Sequence, residues 1–264
     1  MERTEMINSF YDGYYEDTRL ERSRHGQLEY RTTMHYIQKV MPTSGTVLEI
    51  GAGTGRYSVS LAKMGRRVTA LELAERNLEL LRQNAQGIGN LTALQGDAVD
   101  LSRFADDSFD VTLLFGPMYH LYDEQERDAA LREAVRVTRP GGHILTAFLS
   151  VHAILFDNYL RGNLKDGLSE NFDADYRVLH FQNQLFTGYD IPELEALYCG
   201  LPVTPVTLAA TDGILELAGG RADFAMSDEE FEAYTAYHLH FCEQRELLGC
   251  SSHLLHICRK NTVL

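Results

Sequence analysis

Three glycines, at positions 51, 53 and 55, stand in the run Val47-Leu48-Glu49-Ile50-Gly51-Ala52-Gly53-Thr54-Gly55-Arg56, which joins an apolar stretch to the start of a helix. Residues without a Cβ let a backbone turn sharply and approach a ligand closely, and the helix that follows aims free N–H groups at it. Glu49, Gly51, Ala52, Gly53 and Gly55 are therefore expected to cradle a small molecule. A dinucleotide fingerprint would need its third glycine at position 56, which is Arg56, and this argues against a pyrophosphate. A second apolar stretch, 67–71, ends at Glu72 and Leu73. A carboxylate at the end of the second strand of a βαβ unit is placed to accept both hydroxyls of a ribose. The third stretch, 92–95, leads into Gly96-Asp97-Ala98, where a side-chain acceptor and a backbone N–H lie close enough to read an adenine edge. The ligand is expected to contain a nucleoside.

These residues need a scaffold that brings several strand ends together. Apolar stretches alternate with helical ones up to about position 149, and such βαβα order implies a parallel sheet, helices on both faces and right-handed crossovers. Ligands of such a sheet bind outside the carboxyl ends of its strands. Val111-Thr112-Leu113-Leu114-Phe115 has the composition of a strand buried on both faces, so Gly116-Pro117-Met118-Tyr119-His120-Leu121 is the loop at its ligand end. Residues 28–41 place Leu28, Thr32, His35, Tyr36 and Val40 at helical spacing for packing on the sheet, with Pro42 and Gly45 as the stop.

VLEIGAGTGRYS at 47–58, VTALELAERNLELL at 68–81, GDAVDL at 96–101, SFDVTLLFGPMYHL at 108–121 and LREAVRVTRPGGHILTAF at 131–148 follow one another in an order and spacing that resemble the class I S-adenosylmethionine-dependent methyltransferases. Within them they are most similar to the small-molecule branch with a methyltransferase-11 or -25 type domain. The resemblance implies a Rossmann-like, doubly wound α/β fold with a mostly parallel seven-stranded sheet. It also implies S-adenosyl-L-methionine as cofactor and methyl transfer to an oxygen or nitrogen of a small-molecule acceptor. Residues 203–208 and 253–258 resemble the last two strands, the final one antiparallel, and 137–143 resembles the turn before the fifth strand, with His143 in solvent. The backbone around Phe115 would accept a hydrogen bond from the methionine ammonium, and Tyr119 and His120 would border the transferable methyl. For His120 two roles stay open, a general base for a protonated acceptor or a plain pocket wall. The expected organisation is a lid segment at 1–29, a cofactor core at 30–149, a substrate-covering insertion at 150–200 and the C-terminal part of the sheet at 201–264.

The segment before the core is aromatic and then basic, with Tyr14 and Tyr15 followed by Arg22 and His25. It reads either as a lid, with Tyr15 edging the sulfonium and an arginine meeting a carboxylate, or as a helix docked by its aromatics. The net charge of −14 weighs against a nucleic acid partner, since backbone binding depends on clustered cations. No apolar run approaches a membrane span, the start lacks a signal-peptide pattern, and Cys199, Cys242, Cys250 and Cys258 show no metal-type spacing, so reduced thiols in a cytoplasmic protein are expected. No metal site is expected either: His253 and His256 should face opposite sides of a strand, and His238 and His240 diverge on a helix. Ser227 with Glu230 reads as a capping box that explains the acidic run 227–232. Two rival functions remain, a non-catalytic cofactor-binding or regulatory protein on the same scaffold and, less favoured, an NAD-dependent oxidoreductase.

Overall fold

The computed structural model describes residues 3–13 and 16–262. Among them eight strands form one sheet: β1 (Thr46–Ile50), β2 (Arg67–Glu72), β3 (Leu91–Gln95), β4 (Phe109–Leu114), β5 (Thr138–Ser150), β6 (Gly188–Tyr189), β7 (Val203–Ala210) and β8 (His253–Lys260). Their order is β3-β2-β1-β4-β5-β8-β7, with the two-residue β6 added on β5. β1 to β5 run parallel, and β8 is antiparallel to both β5 and β7, as expected of the last strand. Val47, Leu48, Ile50, Val111, Leu113 and Leu114 are all but inaccessible, which is why the two central strands read as unbroken apolar runs. The chain reverses direction in the sheet order between β1 and β4, and that switch point lies above Gly51.

The helices are α1 (Arg3–Gly13), α2 (Arg24–Val40), α3 (Arg56–Lys63), α4 (Glu75–Asn84), α5 (Pro117–His120), α6 (Glu124–Val137), α7 (Val151–Tyr159), α8 (Leu164–Asn171), α9 (Ile191–Ala196), α10 (Leu215–Gly219), α11 (Asp228–Phe241) and α12 (Arg245–Leu248). α11 begins with the capping box expected at Ser227 and Glu230. α2 starts earlier than the periodicity indicates, capped by the Ser23 side chain. Its buried face runs through Leu28, Glu29, Thr32, Thr33, Tyr36 and Ile37, while His35 points outward. Leu28 packs against Leu215 and Phe231 rather than on the sheet.

Two expectations need correction. Residues 138–143 are not a turn: β5 already begins at Thr138, and an irregularity opposite Phe109 and Val111 absorbs Gly141 at a φ of +79°. His143 is accordingly a half-buried strand residue opposite Arg259 and not a solvated loop residue. The segment after β5, whose sequence shows only weak periodicity, opens with α7 and α8. In α7 apolar residues lie all round the axis, with Val151, Ala153 and Leu155 buried, so the stripe that betrays an amphipathic helix is missing from the sequence.

Candidate active site

A cavity of about 820 Å³ opens at the carboxyl edge of the parallel strands. Its volume lies toward the upper end of the roughly 300–1,000 Å³ of small-molecule pockets. One wall holds Gly51, Ala52 and Gly53 with Glu49 behind them, then Glu72 and Leu73, then Asp97 and Ala98; Phe115, Tyr119 and His120 continue it past the switch point. The residues read from the sequence as a nucleoside site are thus brought to one surface. Gly55 is not on that surface. It caps α3 at a φ of +90°, where a Cβ would lie 2.3 Å from a Leu81 methyl, so its task is helix packing. Gly51 is the tight point of the cradle, since a Cβ there would come within 2.2 Å of the Phe115 carbonyl oxygen. Tyr14 and Tyr15 lie outside the described residues; Arg22 and His25 line the cavity on its outer side.

The Glu72 carboxylate accepts hydrogen bonds from the backbone N–H of Gly53 at 2.7 Å and of Ala74 at 2.8 Å, which pins the glycine turn to the end of β2. Burial pushes its pKa up to about 7 against those two N–H groups. Glu49 is buried deeper still, with the Ser58 hydroxyl and backbone N–H donating to it, and burial lifts its pKa to about 8.

α1 crosses the mouth of this cavity. Arg3 donates to Asp97 at 2.6 Å and pairs with Glu126 at 3.0 Å, the Asn8 side-chain oxygen accepts from the Glu75 N–H, and the Phe10 ring meets the Phe186 ring edge-on. At the far end the Tyr11 hydroxyl lies 3.2 Å from Nε2 of His120. Nδ1 of His120 lies 2.6 Å from the Leu185 carbonyl, to which it donates. Burial, partly offset by that carbonyl, lowers the His120 pKa to about 4. At neutral pH the ring is therefore neutral, wedged between Tyr11 and Phe186.

Beyond Tyr119 the cavity ends on a charged cluster for which the sequence holds no motif. Arg19 clamps Glu29 through two hydrogen bonds of 2.6 and 2.9 Å and reaches Glu16 at 3.1 Å. Asp212, with no exposed surface, accepts from Nδ1 of His253 at 2.7 Å, from the His253 N–H at 3.1 Å and from the Ser251 hydroxyl at 2.5 Å. Glu29 stands 3.7 Å from the same Nδ1. Burial disfavours charge on His253, yet Glu29 and Asp212 outweigh it and push the imidazole up to about 9. Burial likewise opposes the charge on Glu29, and Arg19 with His253 overcomes it to hold that carboxylate below its ordinary range. Glu29, Asp212 and His253 also present ligand-type atoms within 4.8 Å of one another, a triad the sequence reading did not anticipate, but the Arg19 guanidinium already occupies both oxygens of Glu29. His256 does face the other side of β8, stacked on Tyr198 at 3.9 Å between ring centres.

Residues 47–142 match a protein family described as "Methyltransferase domain". A demethylmenaquinone methyltransferase of Clavibacter sepedonicus is 40% identical over 108 residues, 40% of this chain and 42% of that protein. The chain spans less than half the length of the first curated relatives it matches. Among solved structures, the N-methyltransferase NodS of Bradyrhizobium japonicum WM9, in complex with S-adenosyl-L-homocysteine, is similar with a TM-score of 0.60 at 15% identity, over 99% of this chain and 100% of that one. The [4+2]-cyclase SpnF is similar with a TM-score of 0.59 at 17% identity, over 98% and 93%. The segment that matches the methyltransferase-domain family spans the glycine turn, the Glu72 strand end and the His120 loop, and the likeness in fold to NodS extends along 99% of the chain.

Proposed function

We propose that the chain transfers the methyl group of S-adenosylmethionine to an oxygen or nitrogen of a small-molecule acceptor. The observation that carries this reading is the continuity of one cavity from Gly53, Glu72 and Asp97 past Tyr119 to His253, with space for an acceptor beside a nucleoside. In this reading Glu72 takes the ribose hydroxyls, Asp97 and Ala98 the adenine, and the backbone at Phe115 the methionine ammonium. α1 is the lid, and its Arg3 meets the carboxylate of Asp97. The displacement is in line at the sulfonium methyl, so the protein's main task is to hold nucleophile, carbon and sulfur collinear at about 3–3.5 Å. The net charge of −14 and a cavity of about 820 Å³ favour a small acceptor over a nucleic acid. The four free thiols support a reducing, cytoplasmic setting.

A second reading rests on the likeness to the [4+2]-cyclase: the same fold serves a protein named for another reaction, so fold alone does not decide between a methyltransferase and a protein that uses the cofactor site otherwise. The two separate in one assay. Release of S-adenosylhomocysteine and a mass gain of one methylene on some member of a panel of phenols, carboxylates and amines is expected. Cofactor binding by calorimetry with no turnover on any panel member would favour the second reading, and binding of NAD in its place would reject both.

Two residues give graded outcomes. Glu72→Ala is expected to weaken S-adenosylhomocysteine binding at least about tenfold, since charge-assisted hydrogen bonds contribute about 1.5–3 kcal/mol and ~1.4 kcal/mol is tenfold. An unchanged dissociation constant in calorimetry would reject the ribose assignment. For His120, a pKa near 4 and a ring held by Leu185 and Tyr11 favour the pocket-wall role over the base. His120→Phe is therefore expected to keep turnover within about tenfold, whereas a fall of ~10²–10⁴ with intact cofactor affinity would restore the general base.

A further inference from the structure

We infer that His253, held by Asp212, is the acceptor-binding charge of this site, and that the acceptor is a small molecule with an acidic hydroxyl, a phenol or an enol, bound as its oxyanion. The inference rests on the methyl-transfer reading and names the acceptor class for it. Topology places His253. β8 is antiparallel, so its first residue lies at the same sheet edge as the last residues of the parallel strands; Leu149 at the end of β5 is its direct partner. In the sheet order β8 is three strands from β1, about 14 Å away at some 4.8 Å per strand. The nucleoside wall occupies the β1-β2-β3 side of the switch point, and His253 faces the cavity from the other side, with Tyr119 between it and His120 at ring distances of 5.9 and 6.4 Å.

The ring has a fixed direction. Nδ1 is held by Asp212 at 2.7 Å, and among the described residues Nε2 has no hydrogen-bond partner, although His253 lines the cavity. An unengaged ring nitrogen backed by a buried carboxylate is a donor aimed at a ligand. The groups around it set its charge: Asp212 after β7, Glu29 on α2, Arg19 and Glu16 before α2, Tyr119 on α5, and Asp157 on α7 through Ser252. With His253 protonated, the charges of Arg19 and His253 match those of Glu29 and Asp212, and Glu16 stands at the cluster's edge on Arg19. An acceptor oxyanion on Nε2–H then balances the sulfonium, so the reacting pair enters the cavity as a neutral whole. Within the cluster the Asp212 and Glu29 oxygens already accept from Ser251, His253 and Arg19.

The step balances without a further reactant. The hydroxyl releases its proton to solvent when the acceptor binds, an oxygen lone pair forms the O–CH₃ bond, and the C–S bond breaks with its electron pair left on sulfur as the thioether. The proton on Nε2 stays in place throughout, and the neutral ether no longer attracts it, which favours product release.

The test uses the full chain loaded with S-adenosylhomocysteine and 4-nitrophenol as probe, whose ionised form absorbs visible light. At a pH one unit below the dye's own midpoint, the bound dye is expected to be ionised, its ratio of ionised to neutral form raised at least tenfold over the free dye. His253→Asn should abolish that shift and weaken dye binding at least tenfold, while 4-nitroaniline, alike in shape and not ionised, binds both proteins equally. Dye bound in its neutral form to the unaltered protein overturns the inference, and this arm needs no variant to fold. Equal shifts in the unaltered protein and His253→Asn overturn it too, as does stoichiometric Zn²⁺ binding that depends on His253, which would give the cluster to a metal. Loss of this inference alone leaves S-adenosylhomocysteine binding intact in calorimetry; absence of that binding removes the methyl-transfer reading and this inference with it.

Discussion

A folded Gly53→Arg protein is expected to show no measurable S-adenosylmethionine binding, a loss of at least about a thousandfold, or ~4 kcal/mol. Gly53 sits at a φ of +55°, donates its N–H to Glu72 and faces the cavity, and a side chain added there would lie 3.5 Å from Glu16 before it extended further. An arginine has two carboxylates within reach, Glu16 and Glu72, and in pairing with them it fills the volume assigned to the ribose and methionine. It also brings a fixed positive charge against a sulfonium. Calorimetry on a variant with the parent's circular dichroism decides the matter, and retained affinity would mean that the glycine turn is not the cofactor site.

Arg19→Met is expected to lower stability by about 3 kcal/mol or more, because it leaves the buried Glu29 carboxylate without its clamp. For a chain of this size that corresponds to a melting temperature lower by roughly 6–12 °C. Adding Glu29→Gln should restore part of the loss, since it removes the buried carboxylate that the clamp held while Glu16 still lacks its Arg19 partner; a double variant no better than the single one would show that packing, not charge, is what Arg19 supplies at Glu29. Protonation of the site has a definite sign as well. His253 is raised from 6.5 to about 9 in the folded protein, so the stability it lends is complete below about pH 6.5 and is lost as pH rises through 9. Glu49 and Glu72, raised from 4.5 to about 8 and about 7, retain protons that the unfolded chain has already released. Below about pH 7 His120 and His256, both lowered to about 4, oppose these groups; from about pH 7 to 9 His253 and Glu49 push the melting temperature of the empty protein downward, which a calorimetric pH series over that window would read.

The cavity wall proposed for the nucleoside was legible as one surface because each of its parts is local. A strand end and the turn that follows it adjoin in sequence at Gly51, Glu72 and Asp97, and the parallel sheet does the rest by aligning strand ends. The charged cluster was not legible for the opposite reason. Arg19, Glu29, Asp212 and His253 come from four separated segments, and no spacing rule connects a residue before α2 with the first residue of β8. One signal was available: Glu29 falls between Leu28 and Thr32 on the buried stripe of α2, and a carboxylate on an apolar stripe demands a partner. The sequence reading followed the stripe through Leu28, Thr32 and Tyr36 and passed over the acid beside them. His253 was weighed only against His256 as a metal pair, and the strand geometry rightly separated those two. The partner that matters is across the sheet, where β7 runs on to Asp212.

The placement of Asp212 and His253 at the ends of two paired strands separates two properties that ligand sites usually share. The charge is carried by residues at strand ends that the β7–β8 ladder positions, whereas Ile154, Tyr159, Phe181 and Phe186, which line the cavity, all belong to the stretch between β5 and β6. That stretch can be lengthened, shortened or recomposed without moving either strand end. The scaffold is thus modular: an exchange of residues 151–187 would retune the size of the molecule admitted while the chemistry required of its reacting atom stays the same.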